Sequence, residues 1–221
     1  MYGAHWLCRV SLVGAALWAF PACGGDDDDD VSIVDSGAGT GVDGGADCAN
    51  HDQGEIGALA GTLAQVKAQD FPTTPPPEGH PTDAQFWDLI GAASDADIVE
   101  VQLWDGFGVF NRLGDGDARR VVPGTYALTE EDAVIESCGI CLLLIAGVNP
   151  DEDTIDRFYL ATSGNVTVDS IGGVGETLAG SASDVVLREV DGETLAPVQG
   201  GCAANIASFE FSAAVEAAPE E

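Results

Sequence analysis

Apolar and polar positions alternate with a period of two through most of the second half of the chain. In Ile98-Val99-Glu100-Val101-Gln102-Leu103-Trp104, Val99, Val101 and Leu103 share one face and Glu100 and Gln102 the other, with Trp104 opposite the valines. Asp105-Gly106 and Asp115-Gly116 read as turns, and Pro123-Gly124 leads into a short strand over residues 125–129. Residues 141–148 are continuously apolar, the pattern of a strand buried on both faces, and Asn149-Pro150 ends it. Residues 156–162 and 164–171 read as a hairpin, with Val166 and Val168 inward and Asn165, Thr167 and Asp169 outward. Strands over 183–190 and 206–214 complete the set.

The region before this is less regular. Leu59, Leu63 and Val66 have helix-like spacing, but Gly54, Gly57 and Gly61 interrupt them, so residues 59–69 are read as a first strand. Five prolines, Pro72, Pro75, Pro76, Pro77 and Pro81, predict an extended loop over residues 71–81. Thr82 with Gln85 has the form of a capping box, which predicts a short helix over 83–91; a buried strand over Phe86 to Ile90 is the alternative. Turn signals recur often and no strand–helix–strand alternation is present. The expected fold is therefore mainly β, an antiparallel β-sandwich or jelly-roll-like single domain with at most one short helix.

The first residues carry a different pattern. Arg9 precedes an apolar run from Val10 to Phe20, then come Pro21-Ala22-Cys23, Gly24-Gly25 and five aspartates, Asp26 to Asp30. A run of about 11 residues rises only ~16 Å as a helix, against roughly 30 Å of hydrocarbon, so it reads as an export signal and not as a span. Phe20 to Cys23 resembles the bacterial lipobox, with Ala22 before the cysteine and an apolar residue three positions before it. That resemblance implies lipidation of Cys23, removal of residues 1–22 and membrane attachment through the lipid. An ordinary cleaved signal ending near Ala22 is the alternative.

The domain organisation follows: signal peptide 1–22, an acidic, Gly/Asp-rich disordered tether 23–52, a β domain 53–215, and an acidic tail 216–221. The tether holds nine aspartates and no basic residue, and self-repulsion keeps it extended. The acidic block behind Cys23 also resembles sequences that route lipoproteins to the cell surface, so the expected location is the bacterial envelope, at the outer membrane or cell surface.

Charge narrows the partners. Acidic residues outnumber basic ones 38 to 7, giving a net charge of -31, and Lys67 is the only lysine. Such a surface repels phosphate backbones, which excludes nucleic acid as an expected partner. A hydrophobic content of 45 % is enough for a packed core.

Six cysteines divide into Cys8 in the signal, Cys23 at the lipid position, and Cys48, Cys138, Cys141 and Cys202 in the exported part. An even count in an oxidising compartment favours two disulfides. The expected pairing joins Cys202, which opens the last strand, to Cys138 or Cys141, which open a central one, with Cys48 taking the remaining partner. A redox Cys138–Cys141 site and a four-thiolate zinc site are the rivals; acidic Glu130, Glu131, Asp132 and Glu136 disfavour a thiolate in the first.

Catalytic signatures are few. His51 and His80 are the histidines beyond the signal, one in the tether and one in the proline loop, which leaves a Ser-His-Asp system no base in the strand region. With so many acids, carboxylate pairs at glycosidase spacing arise by chance. Asp151, Asp153 and Asp156 form the best candidate for a calcium site, with Asp115 and Asp117 a weaker copy. Trp87, Trp104, Phe107 and Phe110 could form an aromatic platform for a glycan or protein partner.

Residues 103–108 (LWDGFG), 123–126 (PGTY), 138–141 (CGIC), 161–164 (ATSG) and 200–202 (GGC) resemble envelope lipoproteins of the myxobacterial type. The resemblance implies an envelope-anchored β domain and carries no catalytic residue across. The expected function is a non-enzymatic binding or surface module with a protein or glycan partner. A secreted, glycosidase-like hydrolase and a calcium-binding adhesion module are the alternatives. A carboxyl with a raised pKa in an apolar setting would speak for the hydrolase.

Overall fold

The computed structural model describes residues 48, 51–69, 81, 83–111 and 119–219. Within them the chain forms β1 (Gln53–Ala58), β2 (Ala60–Ala68), β3 (Gln85–Ala92), β4 (Ile98–Trp104), a one-turn helix α1 (Gly108–Asn111), β5 (Gly124–Ala127), β6 (Ile140–Ala146), β7 (Arg157–Ser170), β8 (Thr177–Val190) and β9 (Ala203–Ala217). The nine strands belong to one sheet, and the domain is mainly β and sandwich-like with one short helix, as the alternation predicts.

Pairing closes the sheet on itself. From β2 the hydrogen-bonded neighbours run β3, β4, β6, β7, β8 and β9, and β9 pairs back with β2. That circuit contains seven strands. Strand directions cannot alternate all the way round an odd ring, so one neighbouring pair must be parallel. It is β9 with β2, and β1 continues the same parallel line against β9. The break at Leu59 is bridged, because Leu59 N donates to Glu210 O at 2.8 Å. The purely antiparallel expectation therefore fails at this seam. β5 shares an edge of β7 with β6, pairing with Asn165 to Val168 while β6 pairs with Arg157 to Leu160.

Several elements differ from their sequence reading. The capping-box helix over 83–91 is the strand β3, the alternative reading: Trp87 and Leu89 point to the inner core while Phe86, Asp88 and Ile90 alternate outward. The first strand is β1, earlier than residue 59, because the glycines there bend a strand instead of ending it; Gly57 has φ 75° at a register shift. The expected hairpin over 156–171 is one strand, β7. Gly164 has φ 135° beside two register shifts, so it marks a bulge that bends β7 while pairing with β8 continues. Val166 and Val168 do face inward.

The main core lies inside the ring, among Leu89, Val101, Leu103, Leu142, Leu144, Tyr159, Leu187, Ile206, Phe209 and Phe211. A second cluster lies on the outer face, where Cys138, Cys141, Leu143, Leu160 and Val190 pack with Trp104, Ile135 and Phe158. β6 is thus buried on both faces, as its unbroken apolar run predicts.

Candidate functional site

The outer face of β2, β3, β4 and β6 is organised in rows by strand register. Gln65, Asp88, Gln102 and Cys141 form one row; Leu63, Ile90, Glu100 and Leu143 flank it on one side and Lys67, Phe86 and Trp104 on the other. Alternation puts Glu100 and Gln102 on this side, yet they are only 4 % and 1 % exposed. Two polar side chains of this face have therefore been sealed away from water, while Gln65 and Asp88 beside them are half-buried.

Its hydrogen bonds run in one direction. The Trp104 indole, a donor only, donates to Gln102 Oε1 at 3.2 Å. That contact turns the Gln102 amide nitrogen toward Glu100, where it donates to Oε1 at 2.5 Å. The Glu100 and Asp88 carboxyls are within hydrogen-bonding reach of each other. Asp88 Oδ1 is sealed from solvent and no amide, ammonium or hydroxyl donates to it. Two such neighbours cannot both be ionised cheaply, so the pair retains a proton. With Glu100 Oε1 already accepting from Gln102, the retained proton belongs on the other Glu100 oxygen, facing Asp88.

Burial is the main cause of the altered acidity of both groups. It pushes Asp88 up to about 6, against the opposing effects of the Glu100 hydrogen bond and the Lys67 charge. Glu100 is raised well above the usual carboxylate range by burial first and by the Asp88 charge second. Lys67 lies over the Phe86 ring, its Nζ 5.5 Å from the centroid. The one lysine of the sequence therefore stands beside the buried pair.

A second polar cluster occupies the inner face at the end of the domain where β4 and β7 begin. Arg157 Nη1 donates to both Glu189 oxygens at 2.8 Å, and Cys202 N donates to Glu189 Oε2 at 2.7 Å. Asp97 accepts from Gln53 Nε2, Ser94 Oγ and Gly147 N. His51 lies against Tyr159 with ring centroids 5.8 Å apart, and His51 Nε2 and the Tyr159 hydroxyl are both sealed without a hydrogen-bond partner. Burial raises the Tyr159 hydroxyl, with Arg157 opposing and Glu189, Asp52 and Asp97 adding to the rise. His51, read from sequence as part of the tether, belongs to the folded domain. So does Asp52, whose Oδ1 accepts from Asn205 N and Nδ2 at 2.9 Å.

The cysteines pair as Cys48–Cys202 and Cys138–Cys141, with Cα separations of 5.6 and 5.3 Å. This overturns the expected bridge from Cys202 to Cys138 or Cys141. Cys202 belongs to the core inside the ring, whereas Cys138 and Cys141 belong to the cluster outside it. The sheet stands between them. Both Cys138 and Cys141 are buried, and Asp132 holds their turn by accepting from Gly139 N and Ile140 N.

Asp151, Asp153 and Asp156 are all exposed around the 149–154 turn. Among the described residues no group of three or more His, Cys, Asp or Glu side chains is arranged to hold a metal ion. Cys23, His80, Asp115 and Asp117 lie outside the described residues. The four aromatics do not form one platform. Trp87 and Phe110 are in the inner core, and Trp104 is outside, packed against Phe86 at 3.9 Å and edge-on to Phe107 at 6.3 Å.

Sequence reasoning missed the Asp88–Glu100 pair. The available signal was Asp88 itself, a lone acid inside Phe86-Trp87-Asp88-Leu89-Ile90. Compared with protein-family models, curated proteins and solved structures, the chain matches none.

Proposed function

We propose that this chain is a lipid-anchored module of the bacterial envelope that works by recognition of a protein or glycan and not by turnover. The observation that carries the reading is how the domain is fastened where the acidic segment enters it. Cys48 is bonded to Cys202, Asp52 is held by Asn205, and β1 runs parallel along β9. A pull on the preceding chain would thus fall on a covalent bond to the last strand, which suits a domain held at a distance from a membrane. The arrangement at Phe20 to Cys23 supplies the anchor. Fractionation of cells producing the Cys23→Ser variant tests this: the variant is expected in the soluble fraction or unprocessed. Membrane retention with unchanged mass would remove the anchor from the reading.

The carboxyl pair favours a second reading, a hydrolase with Glu100 as general acid and Asp88 as its ionised neighbour. Against it stands the near-complete burial of Glu100 and the engagement of its carboxyl by Gln102. Turnover of a glycan or peptide by the purified domain, lost in Glu100→Gln, would establish this second reading in place of the first.

A further inference from the structure

We propose that Asp88 and Glu100 act as a proton-sharing latch, which holds the outer face of β3 and β4 closed while one proton is bound and loosens it when that proton is lost. The geometry behind this is independent of what the module recognises. Register sets Asp88 opposite Gln102 and Glu100 opposite Ile90, so the two acids are diagonal neighbours on one face. The Trp104–Gln102–Glu100 chain supplies donors from one side only. It satisfies Glu100 Oε1 and leaves Asp88 Oδ1 sealed without an N–H donor.

The groups facing the pair are few. From β2 come uncharged Gln65 and Lys67; from β4, Gln102 and Trp104; from β6, Leu143 and the disulfide-bonded Cys141. Among the described residues of these strands Lys67 is the only cation on this face, so one of the two negative charges has a counter-charge and the second has none. Loss of the shared proton would set two carboxylates against each other in a place from which water is largely excluded. Separation of β3 from β4, or entry of water between the rows, relieves that repulsion.

The sign follows from proton counting. Both carboxyls bind protons more tightly in the folded chain than in the unfolded one, so folding takes up protons above the ordinary carboxylate range. Stability conferred on this face is full in acid. Part is lost as pH rises through about 6, where Asp88 ionises and one shared proton remains, and the latch itself is lost above that, as Glu100 gives up the shared proton. The large negative charge of the whole chain weakens folding in the same direction, so the pH trend of the native protein alone does not isolate the latch.

Glu100→Gln does isolate it. An amide at position 100 accepts from Gln102 and donates to Asp88, reproducing the protonated acid without a titrating proton. Between about pH 6 and about pH 9, above the Asp88 titration that both chains share, the native chain is expected to lose roughly 5 °C more in Tm than Glu100→Gln, while the control Glu152→Gln, at an exposed turn, keeps the native slope. Equal slopes for the native chain and Glu100→Gln would overturn the proposal. Carboxyl-carbon NMR of the native chain gives a second measurement that requires no variant. A side-chain carboxyl resonance still protonated at neutral pH is expected, and titration of every carboxyl below about pH 5 would overturn the latch.

Discussion

At the scale of single residues, buried acids organise this domain. Asp132, 1 % exposed, accepts from Thr129 N and Oγ1 with one oxygen and from Gly139 N and Ile140 N with the other. Asp105, fully buried, accepts from Gln85 N and Val121 N, and Arg120 supplies a counter-charge. Each is a backbone clamp, which is why abundant acids need not mean an active site. Asp132→Ala would leave several buried N–H groups without an acceptor; a loss of roughly 3 kcal/mol is expected in urea unfolding. Gly164 is a second special position, since its φ of 135° belongs to glycine and a Cβ there would approach the Val185 backbone at 2.9 Å. Gly164→Ala should cost on the order of 2 kcal/mol, measured the same way. Alternation alone reads Glu100 as an outward polar residue. The direction is right, but burial of that outward face depends on packing that no local pattern encodes.

At the scale of elements, the two staples differ in reach. Cys48–Cys202 closes a separation of 154 residues and Cys138–Cys141 one of 3. On chain-entropy grounds the first is worth roughly 5 kcal/mol and the second about 2. Replacing Cys48 and Cys202 together by alanine is therefore expected to lower the urea midpoint much more than replacing Cys138 and Cys141. Equal losses would mean that burial of sulfur, similar at Cys138, Cys141 and Cys202, outweighs loop closure. β4 and β6 are legible in sequence because their apolar periodicity is unbroken. β7 is not, because Ser163-Gly164 carries the same turn signal whether the chain reverses or only bulges. The choice is made by β8, which pairs with both halves of β7.

For the whole molecule, charge and closure dominate. The net charge of -31 produces repulsion that salt screens, so added monovalent salt is expected to raise Tm by several degrees. Calcium at matched ionic strength should do no more than monovalent salt, consistent with the dispersed, exposed positions of Asp151, Asp153 and Asp156. A calcium effect well beyond the monovalent one, lost on substituting these aspartates, would show otherwise. Closure of the sheet leaves few open strand edges among the described residues, which limits edge-to-edge pairing with other chains.

Periodicity was enough to determine the β class of this protein, the position of β4 and β6 and the inward valines of β7, because these depend on residues two or three apart; the even set of disulfide-forming cysteines came from their count alone. The tertiary structure alone decided what depends on residues far apart. Closure through a parallel β2–β9 seam joins the two ends of the domain, and disulfide pairing follows from which side of the sheet each sulfur occupies. The meeting of Asp88 with Glu100 follows from the β3–β4 register. A change of register by one residue would move the whole row to the opposite face, and only long-range packing of both faces selects the register that seals these two acids together.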